Sequence, residues 1–182
     1  MFYLDTSAVL PLALADAGTL PAKEQPRHSA LTAFAAKARS APARLVASVL
    51  AFEEIGAKTR NDVQRAVLAR VDHRSWNDYQ RADAVEALRD RKIIQGMVLQ
   101  MLEHTARALG SLGVVVEQPV DADASTAGHK LRKAHREFLR LYENIDSMDA
   151  LHIAFGAMLG CKHFITFDNG WAQVAEIEVL GL

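Results

Sequence analysis

Phe2-Tyr3-Leu4-Asp5-Thr6-Ser7-Ala8-Val9-Leu10 begins with an apolar run that stops at an acid and passes at once into residues able to cap a helix. A short unbroken apolar run reads as a buried strand, and Thr6 or Ser7 after it reads as a helix start. Pro11 falls near the first turn of that helix, where its missing N–H is tolerated. Strand followed by helix is the first part of a βα unit, and the rhythm recurs. Arg44 to Ala47 is a second strand, with Ser48 placed to cap a helix running from Val49 to about Thr59. Val114 to Val116, Phe164 to Thr166 and a last run near Val179 supply further strands. The alternation predicts an α/β fold built of βα units on a parallel sheet.

Between the strands, residues 16 to 28 hold Gly18, Pro21 and Pro26 and read as a loop, and Ser29 to Arg39 reads as a helix. Asn61 or Asp62 is placed to cap another. From Arg81 to Leu109 the apolar positions Val85, Leu88, Met97, Met101 and Leu102 recur at helical spacing, which predicts the longest helix, with Gly110 at its end. Pro119 precedes a basic helix from about Ala124 to Glu143. Asp146 or Ser147 caps the next, which runs to about Leu159 and stops at Gly160, and Trp171 to Ala175 reads as a short helix.

The chain's 182 residues suit one domain, with helical elaboration around residues 60 to 125. Its 21 basic and 22 acidic residues nearly cancel, so any contact with nucleic acid must come from a local patch. Cys161 is the sole cysteine, which excludes an internal disulfide and a thiolate zinc cage and suits a reducing cytoplasm. No histidine pair has His-x-His or His-x-x-x-His spacing, so a zinc site is not expected. The opening lacks the pattern of a signal peptide, and the apolar stretch Ile93 to Leu102 is interrupted by Gln95 and Gln100, too short to span a bilayer. A soluble, cytoplasmic protein is the expectation.

In an open parallel sheet the loops leaving the carboxyl ends of the strands share one edge, and sites form there. Asp5 and Asp168 each follow a strand, Asp149 lies in the first turn of a helix, and Glu54 lies early in the helix after the second strand. An Asp after a strand is, taken singly, most often a turn former or cap. Four acids from four chain segments at one edge repel one another unless a cation neutralises them, and oxygen-only donors select Mg²⁺ or Mn²⁺. Such an ion suits phosphodiester hydrolysis, because it acidifies water and offsets charge on the phosphate. Asp5 and Asp149 are then the central ligands, Asp168 completes the set, and Glu54 is a ligand or orients water. Thr6, Ser7, Thr166 and Asn169 are neighbours that hold the acids or touch phosphate.

The same residues resemble a known family, the PIN domains, and within it the VapC-type toxin ribonucleases. Tyr3-Leu4-Asp5-Thr6-Ser7-Ala8-Val9-Leu10 is similar to that family's first motif. Ala47-Ser48-Val49-Leu50-Ala51-Phe52-Glu53-Glu54 resembles the second, in which the acid follows a serine by six positions, a count that selects Glu54 over Glu53. Met148-Asp149-Ala150-Leu151-His152-Ile153-Ala154 resembles the third, and Phe164-Ile165-Thr166-Phe167-Asp168 the fourth. The resemblance covers roughly residues 1 to 60 and 140 to 182. It implies a PIN-like α/β/α sandwich, Mg²⁺ or Mn²⁺ dependence, an RNA substrate, homodimerisation and inhibition by a small antitoxin protein. The chain is longer than is usual for such toxins, and the excess falls around residues 60 to 125.

The stretch from His129 to Arg140 carries Lys130, Arg132, Lys133, Arg136 and Arg140 against the single acid Glu137. These cations suit RNA phosphates beside the acids. The plainer account is a solvated face over Leu131, Ala134, Phe138 and Leu141 packed inward. His152, three positions after Asp149 and within reach of the crevice, reads as a packed or hydrogen-bonded residue, Cys161 as a small buried hydrophobe, Trp76 and Trp171 as packing residues rather than base-stacking platforms, and Met97 and Met101 as core, dimer or antitoxin surface. Two rivals to the nuclease stand: a non-catalytic PIN-like module that binds RNA or protein, and a small-molecule phosphohydrolase of haloacid-dehalogenase type. The latter needs a second Asp two residues after the first, where this chain has Ser7.

Overall fold

The computed structural model describes residues 1–69, 77–90, 92–118, 124–142 and 145–180, without the side chains of 67, 68, 89, 90 and 124–128. Trp76 and Pro119 lie outside the described residues. In chain order the elements are β1 (Phe2–Leu4), α1 (Thr6–Asp16), a 3₁₀ turn (Ala22–Glu24), α2 (Gln25–Arg39), β2 (Leu45–Ser48) and α3 (Val49–Ala69). There follow α4 (Asp78–Asp90), α5 (Ile93–Ser111), β3 (Val115–Glu117), α6 (Ala124–Leu141), α7 (Ser147–Met158), β4 (His163–Ile165), a 3₁₀ helix (Asn169–Gln173) and β5 (Glu178–Leu180).

All the strand pairings are parallel, in the order β3-β2-β1-β4-β5. Tyr3 stands in register with Val46 and Phe164, and Leu4 with Ala47 and Ile165. Successive side chains leave opposite faces of a strand, so these two rows feed two different cores. Leu4, Ala47 and Ile165 pack with Val9 and Leu12 of α1, Leu31 of α2, Ile55 of α3 and Leu109 of α5. Tyr3, Val46 and Phe164 pack with Ile153 and Phe155 of α7, with Trp171, and with Leu131 and Phe138 of α6. A parallel sheet with an apolar core on each face is compatible with the three-layer sandwich expected.

The strand order reverses beside β1. From β1 the chain steps outward to β2 and β3, then returns past β1 to β4 and β5 on the other side. A crevice therefore opens at the carboxyl ends of β1 and β4, where the connections diverge to opposite faces.

Several helical expectations need correction. The segment expected as a loop to residue 28 already contains a 3₁₀ turn, and α2 starts at Gln25 with a proline, Pro26, in its first turn, where no N–H is required. Helix α3 does not stop near Thr59 and restart at Asn61 or Asp62; it runs to Ala69. The single helix expected from Arg81 to Leu109 is two, because Lys92 adopts a left-handed conformation with φ of 55° between them. Helix α5 runs past Gly110 to Ser111. On α6, Leu131 and Phe138 do pack inward, but Leu141 is 53% exposed and Tyr142 takes the inward place. Among the described residues no helix is long and apolar enough to cross a membrane.

Candidate active site

Asp5 ends β1 and is the N-cap of α1, its side chain accepting from the Ala8 N–H at 3.0 Å. The Ser7 hydroxyl donates to the same carboxylate oxygen, Oδ1, at 2.8 Å, and the Thr166 hydroxyl donates to Oδ2 at 2.7 Å. Ser7 Oγ in turn accepts from the Phe167 N–H, and Thr166 Oγ1 from the Asp168 N–H. The turn after β4 is thereby tied to the end of β1 through the carboxylate of Asp5. Asp5 is buried, and burial raises its pKa against the lowering pull of Thr166, Ala8, Ser7 and the nearby His152.

Asp149 stands opposite, in the first turn of α7, whose N-cap is Asp146. Its carboxyl is pushed up to about 6, first by burial and then by the charges of Asp146, Asp168 and Asp5. Three acids thus act on a fourth. The indole of Trp171, itself fully buried, pulls the other way: its Nε1 leans towards Asp149 without completing a hydrogen bond and is otherwise unpartnered. Asp168 is exposed, caps the 3₁₀ helix by accepting from the Gly170 N–H at 2.7 Å, and is followed by exposed Asn169.

Glu54 reaches the same neighbourhood from α3. Its Oε2 accepts from the Thr6 hydroxyl and lies 2.8 Å from His152 Nε2. Burial raises its pKa, but the hydrogen bonds from His152 and Thr6 outweigh that and the net shift is downward. Glu53, its neighbour, is exposed. Two of the residues around these acids, Tyr3 and Trp171, were not linked to the site by sequence reasoning, and His152 was placed there only as a packing or hydrogen-bonding residue. A tyrosine in mid-strand whose hydroxyl must find a partner was the available signal for Tyr3.

Helix α6 packs along α7, and His135 Nε2 lies 2.9 Å from the Ser147 carbonyl at the start of α7, two residues before Asp149. Lys130, Arg132, Lys133, Arg136 and Arg140 are all exposed, and Lys133, Arg136 and Arg140 line one open depression with Glu137. A further cation, Arg27 of α2, lies 4.9 Å from the centre of the Phe167 ring, beside Asp168 in sequence. A cavity of about 460 Å³ lies elsewhere, between α1, α3 and α5, and is mainly apolar.

Among the described residues no group of three or more His, Cys, Asp or Glu is gathered tightly enough to hold a metal ion. In kind, however, the donors fit a hard divalent cation: all are carboxylates. Among the described residues nothing donates to Glu54 Oε1 or Asp168 Oδ2, and no hydrogen bond is completed to Asp149. Carboxylates repel one another, and a divalent ion is what would draw such a set together. In comparisons with known proteins, no family model, curated protein or solved structure matches this chain.

Proposed function

We propose that this chain is a metal-dependent endoribonuclease of PIN type that hydrolyses RNA phosphodiester bonds, and that it is the toxin of a toxin–antitoxin pair acting as a homodimer. The observation that carries the nuclease reading is Asp149, a half-buried carboxyl raised to about 6 by burial, by Asp146 at the cap of its own helix and by Asp168 and Asp5 from two other segments, at the crevice the strand order opens. Such a concentration of negative charge costs stability and is maintained where a cation is used.

Asp5, Asp149, Asp168 and Glu54 would hold Mg²⁺ or Mn²⁺, which when bound acidifies water and offsets charge on the phosphate. The chain's own residues do the rest. Ser7, Thr166 and the Ala8 N–H fix Asp5 so that its orientation needs no rearrangement during reaction. Thr6 and His152 hold Glu54 ionised at the crevice. Lys130, Arg132, Lys133, Arg136 and Arg140 lie on the helix that packs against α7 and would take the phosphates flanking the cleaved bond.

The test is cleavage of RNA by purified protein with Mg²⁺ or Mn²⁺, expected to stop with a chelator and to fall at least about a hundredfold in Asp5→Asn. Equal cleavage by wild type and Asp5→Asn sinks the assignment. A second reading, a PIN-like module that binds RNA or protein without cutting, draws on the loose spacing of the acids. Calorimetry showing no Mn²⁺ binding would favour it. A small-molecule phosphohydrolase has least support, since the position two after Asp5 is a serine engaged in holding that acid.

A further inference from the structure

Tyr3, Ser48 and His152 are polar side chains, each at most 1% exposed, to which the proposed chemistry assigns no contact with substrate. They form one connected chain. Tyr3 Oη lies 2.8 Å from Ser48 Oγ and 2.7 Å from His152 Nδ1, and His152 Nε2 lies 2.8 Å from Glu54 Oε2. Thr6 Oγ1 closes the far end, hydrogen-bonded to Glu54 and 3.2 Å from His152 Nε2. The Tyr3 hydroxyl donates to Ser48 Oγ, and the two imidazole nitrogens of His152 bridge the Tyr3 oxygen and the Glu54 carboxylate.

Geometry around the histidine is tightly constrained. His152 and Gly156 share one face of α7, a turn apart. A Cβ on Gly156 would come within 2.5 Å of the Phe164 ring and 3.1 Å of the Tyr3 ring. The missing side chain therefore lets α7 lie directly on β1 and β4, which is what brings the imidazole within reach of the Tyr3 hydroxyl. Ser48 immediately precedes α3, the helix that bears Glu54, so the chain of bonds ties both ends of one loop of structure: β2, β1, α7 and α3. A network that served only to satisfy buried groups would end on another buried group. This one ends on a carboxylate whose side chain is 27% exposed, with its second oxygen undonated among the described residues. Three rotatable bonds and the repulsion of Asp146 would otherwise swing that carboxylate into solvent.

We infer that His152, locked through Tyr3 and Ser48, is a positioning residue that holds the Glu54 carboxylate in one orientation at the crevice. The inference rests on the nuclease reading of that crevice. Side chains that orient the carboxylates and imidazoles of a metal site typically contribute about ten- to a hundredfold to metal affinity or activity.

The experiment compares wild type, Tyr3→Phe, Glu54→Gln and the double variant, each shown by thermal melting to be folded at the assay temperature. Single-turnover RNA cleavage with Mn²⁺ and calorimetric Mn²⁺ affinity are measured for each. Tyr3→Phe, whose lost hydroxyl cannot reach substrate, is expected to lower the cleavage rate about tenfold or more with little change in RNA affinity, and to weaken Mn²⁺ binding. In the Glu54→Gln background the same change is expected to cost nothing further, because its route to the site is already cut. His152→Gln, which keeps an N–H donor, should retain more activity than His152→Ala, and this pair decides the matter if Tyr3→Phe does not fold. Additive losses in the double variant, or full activity of Tyr3→Phe and His152→Ala beside an inactive Glu54→Gln, overturn the positioning role and leave the nuclease reading standing. Wild type that neither binds Mn²⁺ nor cuts RNA overturns both.

Discussion

The two walls of the crevice are built on opposite principles. On the wall formed by β1, β4 and α1, Asp5 is satisfied three times over, by Ser7, Ala8 and Thr166, and doubles as the cap of a helix. On the wall formed by α7, no hydrogen bond is completed to the Asp149 carboxylate among the described residues, and the charges of Asp146, Asp168 and Asp5 act on it. One acid is part of the fold, held in place whether or not anything binds. The other is an unneutralised charge that the fold tolerates. A rigid anchor beside an electrostatically loaded partner would suit the cation site proposed above.

Moving one wall against the other should have the largest effect. Gly156→Ala forces a methyl group into the Tyr3 and Phe164 rings, and urea unfolding should show a loss of about 1–3 kcal/mol. An unchanged midpoint would mean that α7 shifts freely on the sheet. Next comes the cap. Asp5→Ala should be less stable than Asp5→Asn by about 1 kcal/mol, since Asn still caps and Ala does not, whereas the corresponding pair at Asp149 should differ by less. Equal gaps at both sites would erase the contrast between the walls.

A pH series sharpens it further. Because Asp149 is raised to about 6 in the folded chain, its neutral form contributes stability that is fully present below the unfolded value of 3.8 and is lost as pH rises through about 6. Asp149→Asn should therefore melt higher than wild type at pH 7.5 without divalent cation, with the advantage gone below about pH 4. A constant difference across that range would show that the neighbouring acids do not act on it. Smallest are the rim effects. Lys133→Ala and Arg136→Ala should each flatten the logarithmic salt dependence of RNA binding by about 0.7, the share of one phosphate contact on a single strand. Unaltered slopes would take α6 out of the interface.

The strands were legible almost to the residue, because short apolar runs bounded by polar residues leave few alternatives: β1 lies where expected, and β2, β3 and β4 begin or end within a residue of the expected bounds. The helices between them were not, since periodicity registers which face is apolar and is blind to a single residue such as Lys92 leaving the helical region. Within the site, Asp5, Asp149 and Asp168 could be picked out because each follows a strand or opens a helix, and Glu54 by its place six residues after Ser48. Asp146 was read only as a cap, and its charge on Asp149 and Glu54 follows from how α7 is docked. Tyr3 and His152 are 149 positions apart and meet only because β1 and α7 stack with Gly156 between them.

Local features could be read before folding: which runs are strands, which residues end them, and where Asp5, Glu54, Asp149 and Asp168 stand relative to those strands and the helices after them. Packing of the whole chain was needed to set β1 beside the reversal of strand order, to saturate Asp5 with donors while leaving the Asp149 carboxylate without one, and to tie Glu54 to a buried tyrosine through His152. The reason is physical. Propensity and capping act over a few residues, whereas burial, mutual repulsion and hydrogen-bond partnership depend on distances that exist only after the chain has packed.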